Sequence, residues 1–455
     1  MSWLQPVAAS VDRDAILSEY ESVANWFPIH GHTFPKPVWA RRRYEHTGAE
    51  AWQEVRRRLD GKKKDQPLSI YIHVPFCRGR CGFCDLYSLS LSARNRQLED
   101  EFVERLLDEI GTWLSIGPLD ACPVTTVHFG GGTPNCLSPS NLGRIAAALR
   151  RGRGIGPKTE WALESTCRLL TDAHLRQLRD LGFTRLHAGV QTLDDRIRRT
   201  IGRKEGGDSI VRRLDHALAG GFVVSVDLLY WLPGQTPQLF MDTLERLTAT
   251  GVHGFSLYQL QVCARNRAFL QRCGGDRQNP LLNYALFQIG EHSLNARGYR
   301  KNFFTHWALP PDRNLYYRHV LRGEDLLAFG PTADGVIGHY LYRHPEYRAY
   351  MQSPVPGLEG GMMETPVEQQ MRSVAACLMT GAIEPSTLHE LDASPLLDLW
   401  TVCDFLRNAR DTTMLSLTAN GSWFMTQMLN QLRKRVGSAQ TEQDDSQQQP
   451  SADSR

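Results

Sequence analysis

The sequence has no apolar run long enough to cross a bilayer. Its longest, Gly221 to Pro233, is broken by Asp227 and falls short of the roughly 20 residues a helical span needs, which excludes a transmembrane anchor of that kind. An excess of one charge is missing too. The 52 basic residues face 49 acidic ones for a net of +3, too balanced for a sequence-independent nucleic-acid binder or a polybasic membrane protein. Any polyanion site must be local. The start, MSWLQPVAASVDRDAILSEY, has neither a basic n-region nor a continuous apolar core, so no secretory signal is read there and a cytoplasmic location is expected. Cysteine is scarce as well: ten in 455 residues cannot make a disulfide scaffold. Three of the ten nevertheless fall within eight positions, and that bunching needs a chemical cause.

No internal repeat appears beyond an alternation of short apolar runs with longer amphipathic ones. The strand candidates are 68–74, 125–129, 161–164, 185–190, 223–229 and 255–260, with helix candidates near 95–115, 138–150, 172–181, 207–219 and 236–249. Six β-α alternations imply a parallel sheet with right-handed crossovers. Six strands are fewer than a closed barrel's eight, so the fold class expected is α/β, an open three-quarter (β/α)6 barrel with its site at the C-terminal strand ends. Ahead of it, residues 1–66 form an extension holding Trp26, Phe27, His30, His32, Phe34 and Trp39. From Ala40 to Lys64 it carries nine basic and four acidic residues, read either as a solvated helix and linker or as a flap that meets an anionic ligand. The domain organisation expected is 67–265 for the partial barrel, 266–360 for its completion and a substrate-binding region, and 361–436 for a small α-rich domain. The polar, aromatic-free tail 437–455 is expected to be disordered.

The strongest chemical signal is Cys77-x-x-x-Cys81-x-x-Cys84, immediately after the first predicted strand. Three thiolates this close point to soft-metal ligation, and three ligands leave one iron of a cubane cluster open to a small chelating molecule. A four-ligand zinc site competes, yet no fourth Cys or His follows at finger-like spacing. His73, inside the strand, suits a core or hydrogen-bonding role. The other cysteines (Cys122, Cys136, Cys167, Cys263, Cys273, Cys377 and Cys403) show no pairing pattern and are read as buried or free thiols.

The three-cysteine spacing resembles that of the radical S-adenosylmethionine (SAM) enzymes, and the likeness runs on through HFGGGTPNCLS (128–138), ALESTC, AGVQTLDDRIRRTIGR and VDLLYWLPGQ. In order and spacing along about 68–260 these segments are similar to those of the oxygen-independent coproporphyrinogen III oxidase superfamily. The resemblance implies a [4Fe–4S] cluster on Cys77, Cys81 and Cys84. It also implies that Gly130, Gly131, Gly132 and Thr133 approach the methionine amino group of SAM, where the missing Cβ of glycine allows close contact. Glu164, Gln191, Arg203 and Asp227 fall where that superfamily holds SAM, as an arginine fork and amide or carboxylate groups would. Each of the four, taken alone, is read first as a capping or surface residue, and only together with the cysteine motif as a SAM contact. Tyr71 and Phe83 would flank the adenosyl group. Two departures stand out: Trp231, where relatives usually have glycine, and Ser165 to Arg168.

After residue 300, NFFTHWALPPDRNLYYRHVLRGEDLLAFGPTADGVIGHY and LTANGSWFMTQMLNQL resemble the anaerobic haem-degrading methyltransferases, the anaerobilin synthases. That branch implies two SAM molecules, one on the cluster through the glycine run and Arg203, the other near Gln191 and Asp227. It implies radical methyl transfer that opens haem to a linear tetrapyrrole with iron release, fed by a flavin or flavodoxin-type electron donor. His306 would bind iron or move a proton, and Arg313, with Arg318, would pair with propionates; an ordinary hydrogen-bonded histidine is the other reading of His306. Coproporphyrinogen III decarboxylation and haem trafficking by a chaperone with a retained barrel are the alternatives. No nucleic acid or membrane partner is expected.

Overall fold

The computed structural model of the protein describes Ser18, Tyr20, Glu21 and residues 44–447 except Arg80, Ala93, Gly117, Pro118, Asp120, Ala121, Arg153, 276–278 and 410–412, with 437–447 as backbone only. The aromatic stretch from Trp26 to Trp39 and the first arginine triplet lie outside the described residues. The second triplet, Arg56 to Arg58, is on helix Gly48–Asp60, where Arg57 and Arg58 pair with Glu54 at 2.7 Å each.

Six strands run parallel in chain order: β1 (Leu68–Val74), β2 (Val124–Gly131), β3 (Glu160–Thr166), β4 (Arg185–Gln191), β5 (Val223–Tyr230) and β6 (Gly254–Gln259). Helices Gln97–Leu114, Pro139–Leu149, Asp172–Asp180, Gly207–Ala219 and Pro237–Thr250 alternate with them, so the (β/α)6 expectation holds. The helix starts are encoded locally. Ser138, Thr171 and Thr236 each accept a hydrogen bond from the backbone N–H three residues on, and Pro237 fills the first helical position of the last helix, where its missing N–H costs nothing.

The sheet stays open and grows at both edges. At one edge β7 (Arg300–Phe303) and β8 (His306–Ala308) fold back as an antiparallel pair, β8 lying against β6. At the other, β9 (Leu326–Phe329) joins β1 in parallel, followed by antiparallel β10 (Asp334–Ile337), β11 (Tyr340–Arg343), β12 (Gly360–Met363) and the short strand His46–Thr47. The result is a 13-stranded sheet among the described residues.

Apolar and polar residues alternate along the six parallel strands, and successive side chains of a strand point to opposite faces. Val127, Phe129, Leu163, Leu186, Val224 and Val226 are fully buried on one face, where Phe129 meets Trp161 and Phe183. The opposite face carries a polar row in register, Glu164, His187 and Ser225 on β3, β4 and β5. The next row is Gly189, Asp227, Ser256 and His306 on β4, β5, β6 and β8. This is the face that holds the site.

From Thr365 on, the chain belongs to a second compact unit. It contains helix Pro366–Thr380, opened by a capping box of Thr365 and Glu368, and helices Ser386–His389 and Ser394–Val402. A small antiparallel sheet orders Ala382–Ile383, Leu415–Leu417 and Leu406–Asn408. The last helix, Ala419–Gln447, runs past residue 436 into the stretch expected to be disordered; the first proline to interrupt the chain there is Pro450. No described helix is long and apolar enough to cross a membrane.

Candidate active site

The cysteine loop leaves the C-terminal end of β1. Cys77 ends the short strand Phe76–Cys77, and Cys81 and Cys84 follow in a turn in which the Cys84 N–H donates to Cys81 O at 3.2 Å. All three are half-buried. Burial, with the neighbouring charges of Cys81 and Cys77, pushes the Cys84 thiol up to about 11, so ionised thiols here require a cation beside them. No three His, Cys, Asp or Glu side chains among the described residues close on one point as a mononuclear ion would require. In a cluster each cysteine holds its own iron, and this donor set fits that. Cys136 and Cys167, both buried and pushed up to about 12 by burial, are the inert thiols the sequence leads one to expect.

The glycine run forms a cradle beside that loop. A Cβ on Gly130 would lie 2.9 Å from both Glu164 Oε1 and Tyr71 Cε2, one on Gly132 would meet the Phe76 carbonyl at 2.6 Å, and Gly131 has φ +105. Only glycine tolerates all of this. Thr133 closes the cradle, its Oγ1 3.2 Å from Cys77 Sγ. Glu164 accepts from Gly131 N–H at 3.2 Å and lies 3.1 Å from His128 Nε2. Arg203 stands over the Phe83 ring, 5.6 Å from its centroid, and donates to Gly189 O at 2.5 Å. The buried Nε of Arg203 has no partner among the described residues. A guanidinium with a spare donor beside a backbone cradle fits the carboxylate and amino group of a methionine moiety. Gln191, expected with a second SAM, stands next to Arg203: a Cβ on Gly189 would meet Gln191 Nε2 at 3.0 Å and Arg203 Nη2 at 3.6 Å. Its φ of +72, unusual for a non-glycine residue, aims it there.

Below the cradle lies a chain of polar groups. Asp227 Oδ1 is 2.5 Å from His187 Nε2. Arg185 Nη2 is 3.4 Å from His187 Nδ1 and donates to Ser225 Oγ at 2.9 Å, while Arg185 Nε donates to Asp312 Oδ1 at 2.8 Å. Burial works against the charged forms of both partners, but Arg185 and His306 hold the Asp312 carboxyl well below its usual range. Burial also opposes charge on His187, and the Asp227 carboxylate outweighs it and raises the imidazole above its ordinary value. Tyr71, half-buried, places its hydroxyl 3.2 Å from His73 Nδ1 and stacks on Tyr316, whose ring also stacks on His128 at 4.4 Å. Burial drops His73 to about 4. The lumen thus has an aromatic wall and a polar wall.

His306 takes a place other than an iron ligand's. It is 1% exposed, with Nε2 2.7 Å from Asp312 Oδ2 and Nδ1 2.8 Å from Ser256 Oγ. Both ring nitrogens are engaged, and burial keeps the imidazole pKa below its ordinary value, so no lone pair is left for an axial bond. Arg313, next to Asp312 in sequence, is exposed and Arg318 half-buried. His128, His187, Arg185, Asp312 and Tyr316 were not picked out from the sequence. Polar residues at alternate positions of RLH and VSVD were the available signal, overlooked because the strands were read as apolar runs.

Residues 71–247 match the model of the radical SAM superfamily. The chain is 27% identical over 403 residues to the anaerobilin synthase of Escherichia coli O157:H7, covering 85% of this chain and 88% of that protein. To the oxygen-independent coproporphyrinogen III oxidase of Salmonella typhimurium it is 31% identical over 305 residues, 63% of this chain and 65% of the relative. Among solved structures, that of coproporphyrinogen III oxidase from Escherichia coli superposes with a TM-score of 0.73 at 23% identity, covering 87% of this chain and 97% of the other. The chain carries a radical SAM domain and is by class a radical SAM enzyme, whose cofactors are a [4Fe–4S] cluster and SAM. Its fold is that of the coproporphyrinogen oxidase type.

Proposed function

We propose that the protein is a radical SAM methyltransferase that opens haem without oxygen to a linear tetrapyrrole and releases its iron, using two SAM molecules. The observation that carries this reading is the extent of sequence likeness: to an anaerobilin synthase it spans 88% of that relative, including the region after residue 300, whereas to the oxidase it spans 65%. When bound, the cluster and its SAM supply one-electron cleavage and hydrogen-atom abstraction.

The chain's own residues bind and orient. Cys77, Cys81 and Cys84 hold the cluster, while Gly131, Gly132, Thr133 and Glu164 receive the methionine amino end of SAM. Arg203 and Gln191 take its carboxylate side, and Phe83 under Arg203 packs against the adenosyl group. Asp227, steadied by His187, faces ribose hydroxyls of a SAM in the lumen. Tyr71, with Tyr316 and His128 stacked beside it, offers a flat apolar surface to an aromatic ligand. His306 acts through Asp312 and Ser256 as a positioning residue, and exposed Arg313 meets a propionate. A flavin or flavodoxin-type protein supplies electrons, in the cytoplasm.

The higher local identity of the oxidase, 31%, favours decarboxylation of coproporphyrinogen III as the second reading; likeness to the heme chaperone HemW of Mycobacterium tuberculosis, 28% over 306 residues, supports a trafficking role. Anaerobic incubation with haem, SAM and a reductant separates them. The proposal requires loss of the Soret band with ferrous iron passing to a chelator; a chaperone leaves the band intact.

A further inference from the structure

The surface around the cysteine loop is rich in arginine. Arg78, Arg94, Arg168, Arg265 and Arg272 are all exposed, and the contacts tie them to one region. Arg168 donates to Arg78 O at 3.0 Å, Arg78 donates to Cys136 O at 2.9 Å, and Arg265 donates to Asp85 O at 3.1 Å while lying over the Tyr87 ring. Arg272 lies over Phe269, the ring that presses on Gly82 between the cysteines. Arg94 follows Leu91, whose N–H donates to Cys77 O at 2.9 Å. The side chains of Arg78, Arg168, Arg265 and Arg272 meet backbone carbonyls and rings; none of the five is in an ion pair among the described residues. Asp85, Glu101 and Glu346 are among the exposed acids near the same loop.

Leu86, two positions after Cys84 and between the two residues that Arg265 contacts, is 59% exposed. A large apolar side chain held out to water beside exposed arginines has the make-up of a protein contact: an apolar anchor with charged neighbours that steer a partner of opposite sign. We propose that this face docks a small acidic one-electron carrier protein, with Leu86 as the apolar anchor. The inference rests on the radical SAM reading for what the partner delivers. Each SAM cleaved consumes one electron: the carrier is oxidised by one electron, the bond between the sulfonium sulfur and C5′ of the adenosyl group breaks, methionine leaves as the neutral thioether, and the unpaired electron stays on C5′.

The test uses the cluster-loaded full chain and a reduced flavodoxin as the acidic carrier. Calorimetric titration gives the affinity, and 5′-deoxyadenosine formation is followed with that carrier and, in parallel, with dithionite. R168E/R265E and, separately, L86D should each weaken binding by about tenfold or more. The wild-type affinity should collapse at 1 M salt, where the screening length is about 3 Å. Cleavage should fall in step with the carrier and stay unchanged with dithionite. Equal affinity of wild type and variants, or no binding by the wild type, overturns the proposal, as does an equal loss with dithionite, which would mean that the arginines serve the site itself. If the wild type cleaves no SAM even with dithionite, the radical SAM reading fails instead, and the titration still decides the docking surface.

Discussion

His187 and Asp227 meet across neighbouring strands with 2.5 Å between Nε2 and Oδ1, and this pair extends the buried network of Arg185, Asp312 and His306 along the polar face of the sheet. Because the imidazole pKa is raised in the fold, the charged pair stabilises fully below the unfolded value of about 6.5 and is lost as pH rises through the higher folded value. Thermal melts from pH 6 to pH 9 should therefore show the wild type losing more stability than His187→Gln. Parallel pH profiles for the two would contradict the coupling.

Asp312 balances a buried guanidinium. Asp312→Asn leaves Arg185 without its counter-charge and should cost about 3–5 kcal/mol in urea denaturation. The native carboxyl lies well below its usual range, so its contribution is present above the unfolded value of about 3.8 and is lost as pH falls through the folded one. A variant that unfolds at the wild-type midpoint would show the cluster of charges to be dispensable.

Gly254 is placed where a side chain cannot go. A Cβ there would sit 2.1 Å from Asp312 Oδ2 and 2.7 Å from His306 Nε2. Gly254→Ala should destabilise by about 1–3 kcal/mol through overpacking, and the amide and ring signals of His306 should shift. An unperturbed melt with unshifted signals would place Asp312 elsewhere.

The cradle and the cluster should separate by mutation. Gly130→Ala puts a methyl between Glu164 and Tyr71 and should weaken SAM binding by about tenfold or more while the iron content stays at the wild-type level, since one misplaced methyl in a tight site costs at least 1–3 kcal/mol. Cys81→Ala should instead remove the visible absorption of the cluster and all SAM cleavage. Equal iron loss in both variants would merge the two subsites.

The six parallel strands and the helices between them are legible in the sequence because they carry their own punctuation, whereas the strands that extend the sheet at both edges are not read there. Thr236 followed by Pro237 starts a helix, Gly251 at φ +81 ends it, and the next strand begins three residues on at Gly254. The cysteine loop was legible for a similar reason, since three ligands sit within one local turn. His187, Arg185 and Asp312 were not, because their partnership spans 127 positions between Arg185 and Asp312 and exists only once β4, β5 and β8 are in register. The position of His306 had the same character. Read beside Trp307 and two arginines it suits a ligand, and only its pairing with Ser256 across β6 shows both nitrogens engaged. Trp231 carries φ +65 at 8% exposure; its bulk fills the turn after β5 at the cost of a backbone shape that favours glycine.

The central claim is the identity of the substrate, and mass analysis of the tetrapyrrole after anaerobic incubation with haem, methyl-labelled SAM and a reductant tests it most directly. The account predicts a linear tetrapyrrole carrying one labelled carbon, with 5′-deoxyadenosine and S-adenosylhomocysteine as co-products. Haem recovered intact, while coproporphyrinogen III loses two carboxyl groups under the same conditions, would contradict it.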